Sequence, residues 1–365
     1  MSDPTFRVPT FRVGVIGAGW AGQQHLAAYD ALPNVEIAAI AGQETDVVTS
    51  LGERYGVPHL FDSWEQLVEL PDLDAVSVAV PNFLHAPIGV AALKRGLHVL
   101  SEKPLARNGV EGRQMVEAAR AAGRVLDVAF NHRLRGDVQA LGRIIGSGEL
   151  GRPYYAKASW MRRRGIPTIG SWFTSREMAG GGPLADIGVH VLDYALFLLG
   201  EPKVESVSAV TSGELGSRGV GGMNWETARV RGGFEVEDFA SAFLRLEGGG
   251  ALALETSWAA FRDPTDLLDF HVLGTEGGAE LRAVGAAKKA VGDLRIFRDV
   301  DGEIADYQPA AEPGRAHAAV VENFIRLLAA PQEWAANDGS QALRRAEIID
   351  ACYRSATEHR EVPVA

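Results

Sequence analysis

One stretch constrains this chain more than any other: FRVGVIGAGWAGQQHLAAY, residues 11 to 29, a strand-like run that passes through glycines straight into helical periodicity. Gly17, Gly19 and Gly22 form G-x-G-x-x-G. In that pattern the first glycine allows a tight turn, the second lets backbone approach a pyrophosphate, and the third lets the helix pack closely. Trp20 and Ala21 complete the loop, whose helix start would turn unpaired amides toward phosphate. The chain has 42 glycines, so the pattern carries meaning only because it joins a strand to a helix.

Strand and helix signals then alternate. VEIAAIA at 35 to 41, AVSVAV at 75 to 80, HVLSE at 98 to 102 and RVLDVAF at 124 to 130 read as strands, with helices over 47 to 55 and 88 to 95. This predicts an α/β Rossmann domain, a doubly wound parallel sheet over residues 1 to 130. The acid expected at the end of the second strand, to hold a ribose 2′-hydroxyl, is missing: Gly42 and Gln43 stand there, and Glu44 and Asp46 come later. No lysine or arginine lies close by to hold a 2′-phosphate. The cofactor is therefore read as NAD(P), undecided between the two, with a slight lean to NADP.

At 365 residues the chain exceeds what one core usually holds, so a second domain is expected over 131 to 365. VESVSAVT, DFASAFLRLE, ALALETSWAA and LLDFHVLGT, with a turn at EGGG, predict an α+β domain with a large open, mainly antiparallel sheet. A final helix over 340 to 358, after a loop at 333 to 339, should pack back on the body. The net charge of −11 is the wrong sign for a nucleic-acid binder. No apolar run reaches the roughly 20 residues a membrane span needs, and Cys352, the lone cysteine, gives no reason to leave the cytoplasm. The histidines are scattered without metal-ligand spacing, so no metal is expected. TFRV occurs at 5 to 8 and again at 10 to 13, a short duplication to which no function is attached.

Three further signatures follow in order: PNFLH at 81 to 85, SEKPL at 101 to 105, and GGGPLADIGVHVLD at 180 to 193. With the glycine loop, they make the chain resemble the glucose-fructose oxidoreductase / inositol dehydrogenase / rhizopine-catabolism family over almost its whole length. Pro81, Asn82, His85, Glu102 and Lys103 all fall just past strand ends, where an open α/β sheet binds its ligands. His85 could equally cap the next helix. The resemblance implies a cis Lys103–Pro104 bond and a cofactor contact at Trp172, a residue that could otherwise be a packing anchor. Asn131 and Arg133 are weaker crevice candidates, and at least one of Arg162, Arg163 and Arg164 should be solvated.

In the third signature, Asp186, His190 and Asp193 share one helix face, while Leu184, Ile187, Val191 and Leu198 form an apolar one. The spacing predicts a helix buried on one stripe and presenting ionisable groups on the other, with Gly180, Gly181 and Gly182 letting a ligand approach its start. Taken alone, the Asp186/His190 pair would read as a core histidine with a local cap. By resemblance, His190 exchanges a proton with a substrate hydroxyl, Lys103 stabilises charge on the same oxygen, and Asp186 orients the substrate or His190. The expected activity is hydride transfer between nicotinamide and a hydroxyl or keto group of a sugar, polyol or related cyclic compound. The same scaffold could serve an NAD-dependent glycosidase or a non-catalytic regulator. The family pairs through the second domain's sheet, implying a homodimer or homotetramer.

Overall fold

A computed structural model describes residues 10–223, 233–285 and 291–364. The first copy of TFRV lies outside them. Six parallel strands form the first sheet: β1 (Phe11–Ile16), β2 (Val35–Ala41), β3 (His59–Phe61), β4 (Ala75–Val78), β5 (His98–Ser101) and β6 (Leu126–Val128), in the order β3-β2-β1-β4-β5-β6. Helices α1 (Trp20–Asp30), α2 (Thr45–Tyr55), α3 (Trp64–Val68), α4 (His85–Lys94) and α5 (Gly109–Ala122) connect them. The strand order reverses between β1 and β4, which sets the ligand crevice at the carboxyl ends of those strands. β1 and β4 are almost wholly buried, the continuous apolar pattern of a sheet covered on both faces.

α6 (Gly136–Gly146) leads into the second sheet through β7 (Pro153–Arg162). After α7 (Arg176–Ala179) and α8 (Val189–Leu198) come β8 (Val204–Ser212), β9 (Phe239–Leu246), β10 (Ala251–Ser257), β11 (Asp266–Gly274), β12 (Gly278–Val284) and β13 (Asp293–Phe297). β14 (Asp299–Val300) and β15 (Glu303–Ile304) form a separate small hairpin. The large sheet runs β13-β12-β11-β7-β10-β9-β8-β16, where β16 is Val362–Pro363; only β7 and β10 pair in parallel, and the other neighbours are antiparallel. The alternating burial along β9 and β12 shows one face packed and one exposed. Among the described residues, no helix is long and apolar enough to cross a membrane.

One helix beyond the expected division at residue 130 packs on the parallel-sheet domain. α9 (Ala316–Leu328) buries Val320, Val321, Phe324, Ile325 and Leu328 in one cluster with Val13, Val15, Leu26 and Tyr29 of the first domain. Its apolar positions recur at helical spacing, so the stripe was legible, but which domain it covers was not. The expected loop at 333 to 339 is partly a 3-10 turn, Pro331–Ala336, ahead of α10 (Ser340–Glu358). α10 packs across both domains, against α5 on one side and β8 on the other.

Candidate active site

The glycine loop has the shape its residues require. A Cβ on Gly17, whose φ is +106°, would sit 2.1 Å from the Ala79 carbonyl oxygen, whereas a Cβ on Gly19 would meet nothing within 4 Å. Gly19 therefore faces open space at the start of α1, where no side chain caps the free amides. A dinucleotide pyrophosphate fits such a cradle. Trp20 stands beside it, 70 % exposed, with its ring edge toward His317 at 5.2 Å. Gly42 is half-buried and Gln43 exposed, at the end of β2.

Behind the crevice lies a closed polar network. Tyr29 Oη lies 2.8 Å from Ser77 Oγ, Ser77 Oγ 3.0 Å from His25 Nδ1, and His25 Nε2 3.2 Å from Glu102 Oε1. The buried tyrosine hydroxyl has no other hydrogen-bond partner among the described residues, so it donates to Ser77. Ser77 in turn donates to His25 Nδ1, which puts the His25 proton on Nε2, facing Glu102. His317 Nε2 lies 3.3 Å from the same carboxylate oxygen. Burial alone would raise the Glu102 pKa, but hydrogen bonds from the two histidines hold it well below the usual range. His25, Glu102 and His317 come from distant parts of the chain and are close enough to hold a metal.

Lys103 and Asp186 meet across the two domains. The lysine Nζ donates to Asp186 Oδ1 at 2.7 Å and to the Asp186 carbonyl at 3.2 Å, while Trp258 Nε1 donates to Asp186 Oδ2 at 2.9 Å. Although burial favours the neutral acid, the Lys103 charge holds the Asp186 pKa below its ordinary value. The hydrogen-bond partners of the Asp186 carboxylate are thus Lys103 and Trp258; the resemblance had implied that it orients the substrate or His190. The Lys103–Pro104 bond is cis.

The segment carrying Asp186 also differs from the expected helix. Leu184–Gly188 is a π-turn that runs on into α8, and every residue of α8 except Phe197 is buried. There is no solvated polar stripe. Asp193, fully buried, points away from the crevice and accepts from Arg133 Nε at 2.8 Å and Arg345 Nε at 3.1 Å. The three glycines ahead of the turn serve protein contacts instead of ligand approach. Added Cβ atoms at Gly180, Gly181 and Gly182 would strike the Arg107 carbonyl at 2.5 Å, Tyr353 Oη at 1.9 Å and the Glu237 carbonyl at 2.1 Å. Glu237, which sequence reasoning missed, anchors the turn: its Oε1 accepts from the Gly182 and Leu184 amides at 3.0 and 3.1 Å and from Tyr353 Oη at 2.8 Å.

His190 is 6 % exposed and its ring lies 4.5 Å from that of His132, with Trp160 packed against both. Burial first, then the neighbouring His132 and Lys103, pushes the His190 pKa well down, so the ring is neutral at physiological pH. His132 and Trp160 were also missed; His132 sits between two residues that were singled out, but its partners stand on β7 and α8, far along the chain.

The remaining candidates divide. Asn82 Nδ2 donates to the Ala179 carbonyl of the second domain at 2.8 Å, and Pro81 is half-buried beside it. His85 is withdrawn from the crevice: its two ring nitrogens lie 2.7 and 2.9 Å from the Pro104 and Val80 carbonyls, leaving no ring nitrogen for a cofactor. Asn131 begins the 3-10 turn that carries His132. Trp172 is half-buried and stacks on Phe173 at 3.7 Å. Arg163 and Arg164 are exposed, while Arg162 turns inward over Trp160 at 4.6 Å and toward Asp266 at 3.6 Å.

Residues 11–130 match the model of the oxidoreductase family with an NAD-binding Rossmann fold, and 138–280 match the GFO/IDH/MocA C-terminal domain. The chain belongs to the Gfo/Idh/MocA family. It is 32 % identical over 350 residues to D-glucoside 3-dehydrogenase of Escherichia coli strain K12, covering 94 % of this chain and 95 % of that one. To levoglucosan dehydrogenase of Pseudarthrobacter phenanthrenivorans it is 32 % identical over 316 residues, 79 % of each. A structure of levoglucosan dehydrogenase in complex with NADH and L-sorbose superposes with a TM-score of 0.81 at 25 % identity, covering 98 % of this chain and 100 % of that one. This Gfo/Idh/MocA protein is thus an oxidoreductase with an NAD-binding Rossmann domain.

Proposed function

We propose that this enzyme oxidises a secondary hydroxyl of a sugar or polyol, or reduces the matching ketone, at the junction of its two domains. The carrying observation is the Lys103–Asp186–Trp258 cluster, with the ion pair half-buried against a buried tryptophan, which sets one directed cation beside a neutral His190 at the carboxyl ends of β4 and β5. When bound, the nicotinamide supplies hydride acceptance. Gly17, Gly19, Trp20, Ala21 and Gly22 would cradle its pyrophosphate, with Pro81, Asn82, Glu102 and Asn131 along the crevice toward the reacting end. His190 Nε2 takes the hydroxyl proton, and Lys103 hydrogen-bonds the substrate oxygen as negative charge develops there. Asp186 keeps the ammonium aimed; Trp258 and Glu237 keep Asp186 in place. The relatives named for glucoside and levoglucosan oxidation support the substrate class.

NAD is the acceptor we infer, although the missing acid at the end of β2 leaves room for NADP. Exposed Glu44 and Asp46 follow Gln43 at the end of β2, and their charge would oppose a 2′-phosphate. A panel of pyranosides, free sugars, polyols and their keto forms with each nucleotide, followed by nicotinamide absorbance and product analysis, tests both points. We expect turnover with at least one sugar and kcat/KM at least about tenfold higher with NAD, a difference of about 1.4 kcal/mol. Sugar release without net NADH formation would replace this reading with a redox-assisted glycosidase.

The outward face of the large sheet exposes Val210 and Phe243 on neighbouring strands. We propose that this face pairs copies of the chain into a homodimer or homotetramer. A single monomeric species in sedimentation velocity at micromolar concentration would remove the proposal.

A further inference from the structure

Two buried nitrogens in the site have no hydrogen-bond partner among the described residues: His132 Nδ1 and His190 Nδ1. Their rings stand 4.5 Å apart, tilted by 48°, with Trp160 against both. A neutral imidazole carries one N–H and one lone pair, and a buried N–H left without an acceptor costs about 1–3 kcal/mol. An isolated His190 would therefore keep Nδ1 bare and hold its proton on Nε2. That tautomer presents a donor to the crevice and cannot accept a proton from a hydroxyl.

We propose that His132 is a positioning residue that forms an Nδ1–H···Nδ1 hydrogen bond with His190 and so leaves the His190 Nε2 lone pair facing the substrate. The inference rests on His190 being the base. One bond satisfies both orphaned nitrogens. The proposal requires a turn about the soft ring torsions to close this bond, and catalytic hydrogen bonds commonly tighten only when substrate binds. In the oxidation step the substrate O–H breaks and an Nε2–H bond forms on His190. The oxygen keeps that electron pair and forms the carbonyl as the carbon gives up hydride to the nicotinamide. The positive charge then spreads over two rings through the shared Nδ1 proton. Proton uptake by the pair is opposed by Lys103 and His317, and on His132 also by Arg135 and Arg162, while Glu102 favours charge on His190.

The test compares His132→Phe, which keeps a flat ring without an acceptor, with His132→Asn, which restores an acceptor. Each is assayed over pH on the sugar found in the panel, alongside His190→Ala. His132→Phe should lower kcat at least tenfold without changing the NADH affinity read by fluorescence titration. Losing the Nδ1 acceptor destabilises the imidazolium, so the acid limb of its kcat/KM profile should move to lower pH. His132→Asn should recover most of the rate. An unmoved acid limb, or equal loss in both variants, would overturn the pairing and leave a packing role. Near wild-type turnover in His190→Ala would instead overturn the base assignment itself. If His132→Phe does not fold, long-range proton–nitrogen correlation of histidine-labelled wild type decides: a proton on His190 Nδ1 supports the pair, and one on Nε2 refutes it.

Discussion

Lys103→Met should lower turnover at least about a hundredfold, roughly 2.7 kcal/mol of lost charge stabilisation, while the affinity for NADH stays within about twofold. Methionine keeps the length and apolar stem of lysine but removes the ammonium that Asp186 aims from 2.7 Å. The loss is a differential one. Lys103 interacts more strongly with an oxygen that carries developing charge than with a neutral hydroxyl, so kcat falls and binding of the nucleotide does not. Stopped-flow turnover with the sugar from the substrate panel, together with fluorescence titration of NADH, separates the two. A variant within about tenfold of wild type would remove Lys103 from the chemistry. Asp186 would also lose its counter-charge and, held only by Trp258, should bind a proton more readily.

The second large effect concerns stability. Arg345→Met should cost about 3 kcal/mol in urea unfolding followed by tryptophan fluorescence. Arg345 is 1 % exposed and bridges Asp193 Oδ1 at 3.1 Å and Glu201 at 2.6 and 2.7 Å, joining α10 to the helix that carries His190. Removing one partner leaves a buried charge with less compensation, which costs about 3–5 kcal/mol. The lower end applies because Arg133 still faces Asp193. A cost below about 1 kcal/mol would mean that Arg133 alone carries the network and that α10 is held by apolar contacts.

Both effects depend on contacts that were not visible along the chain. The sequence signatures singled out Lys103, Asp186 and His190 as candidates, but not that Asp186 is the hydrogen-bond partner of Lys103. Spacing also treated Asp193 as a third member of one polar face. An i, i+4 relation states which side chains share a helix face but not what stands opposite them. Here the opposite partners are Lys103 for Asp186 and two arginines for Asp193, so the polar residues are buried in pairs where a solvated stripe was expected.

The dinucleotide loop, the strands of the parallel sheet and the mainly antiparallel second sheet were legible along the chain. These rest on local periodicity and on glycines whose spacing a few residues apart encodes a turn. Packing across the fold brings Lys103 against a residue 83 positions away, His25 and His317 onto Glu102, His132 against His190, and α9 onto the parallel-sheet domain. Those contacts arise from how two sheets and their covering helices pack, and a chain's local period carries no record of which distant element will lie against it.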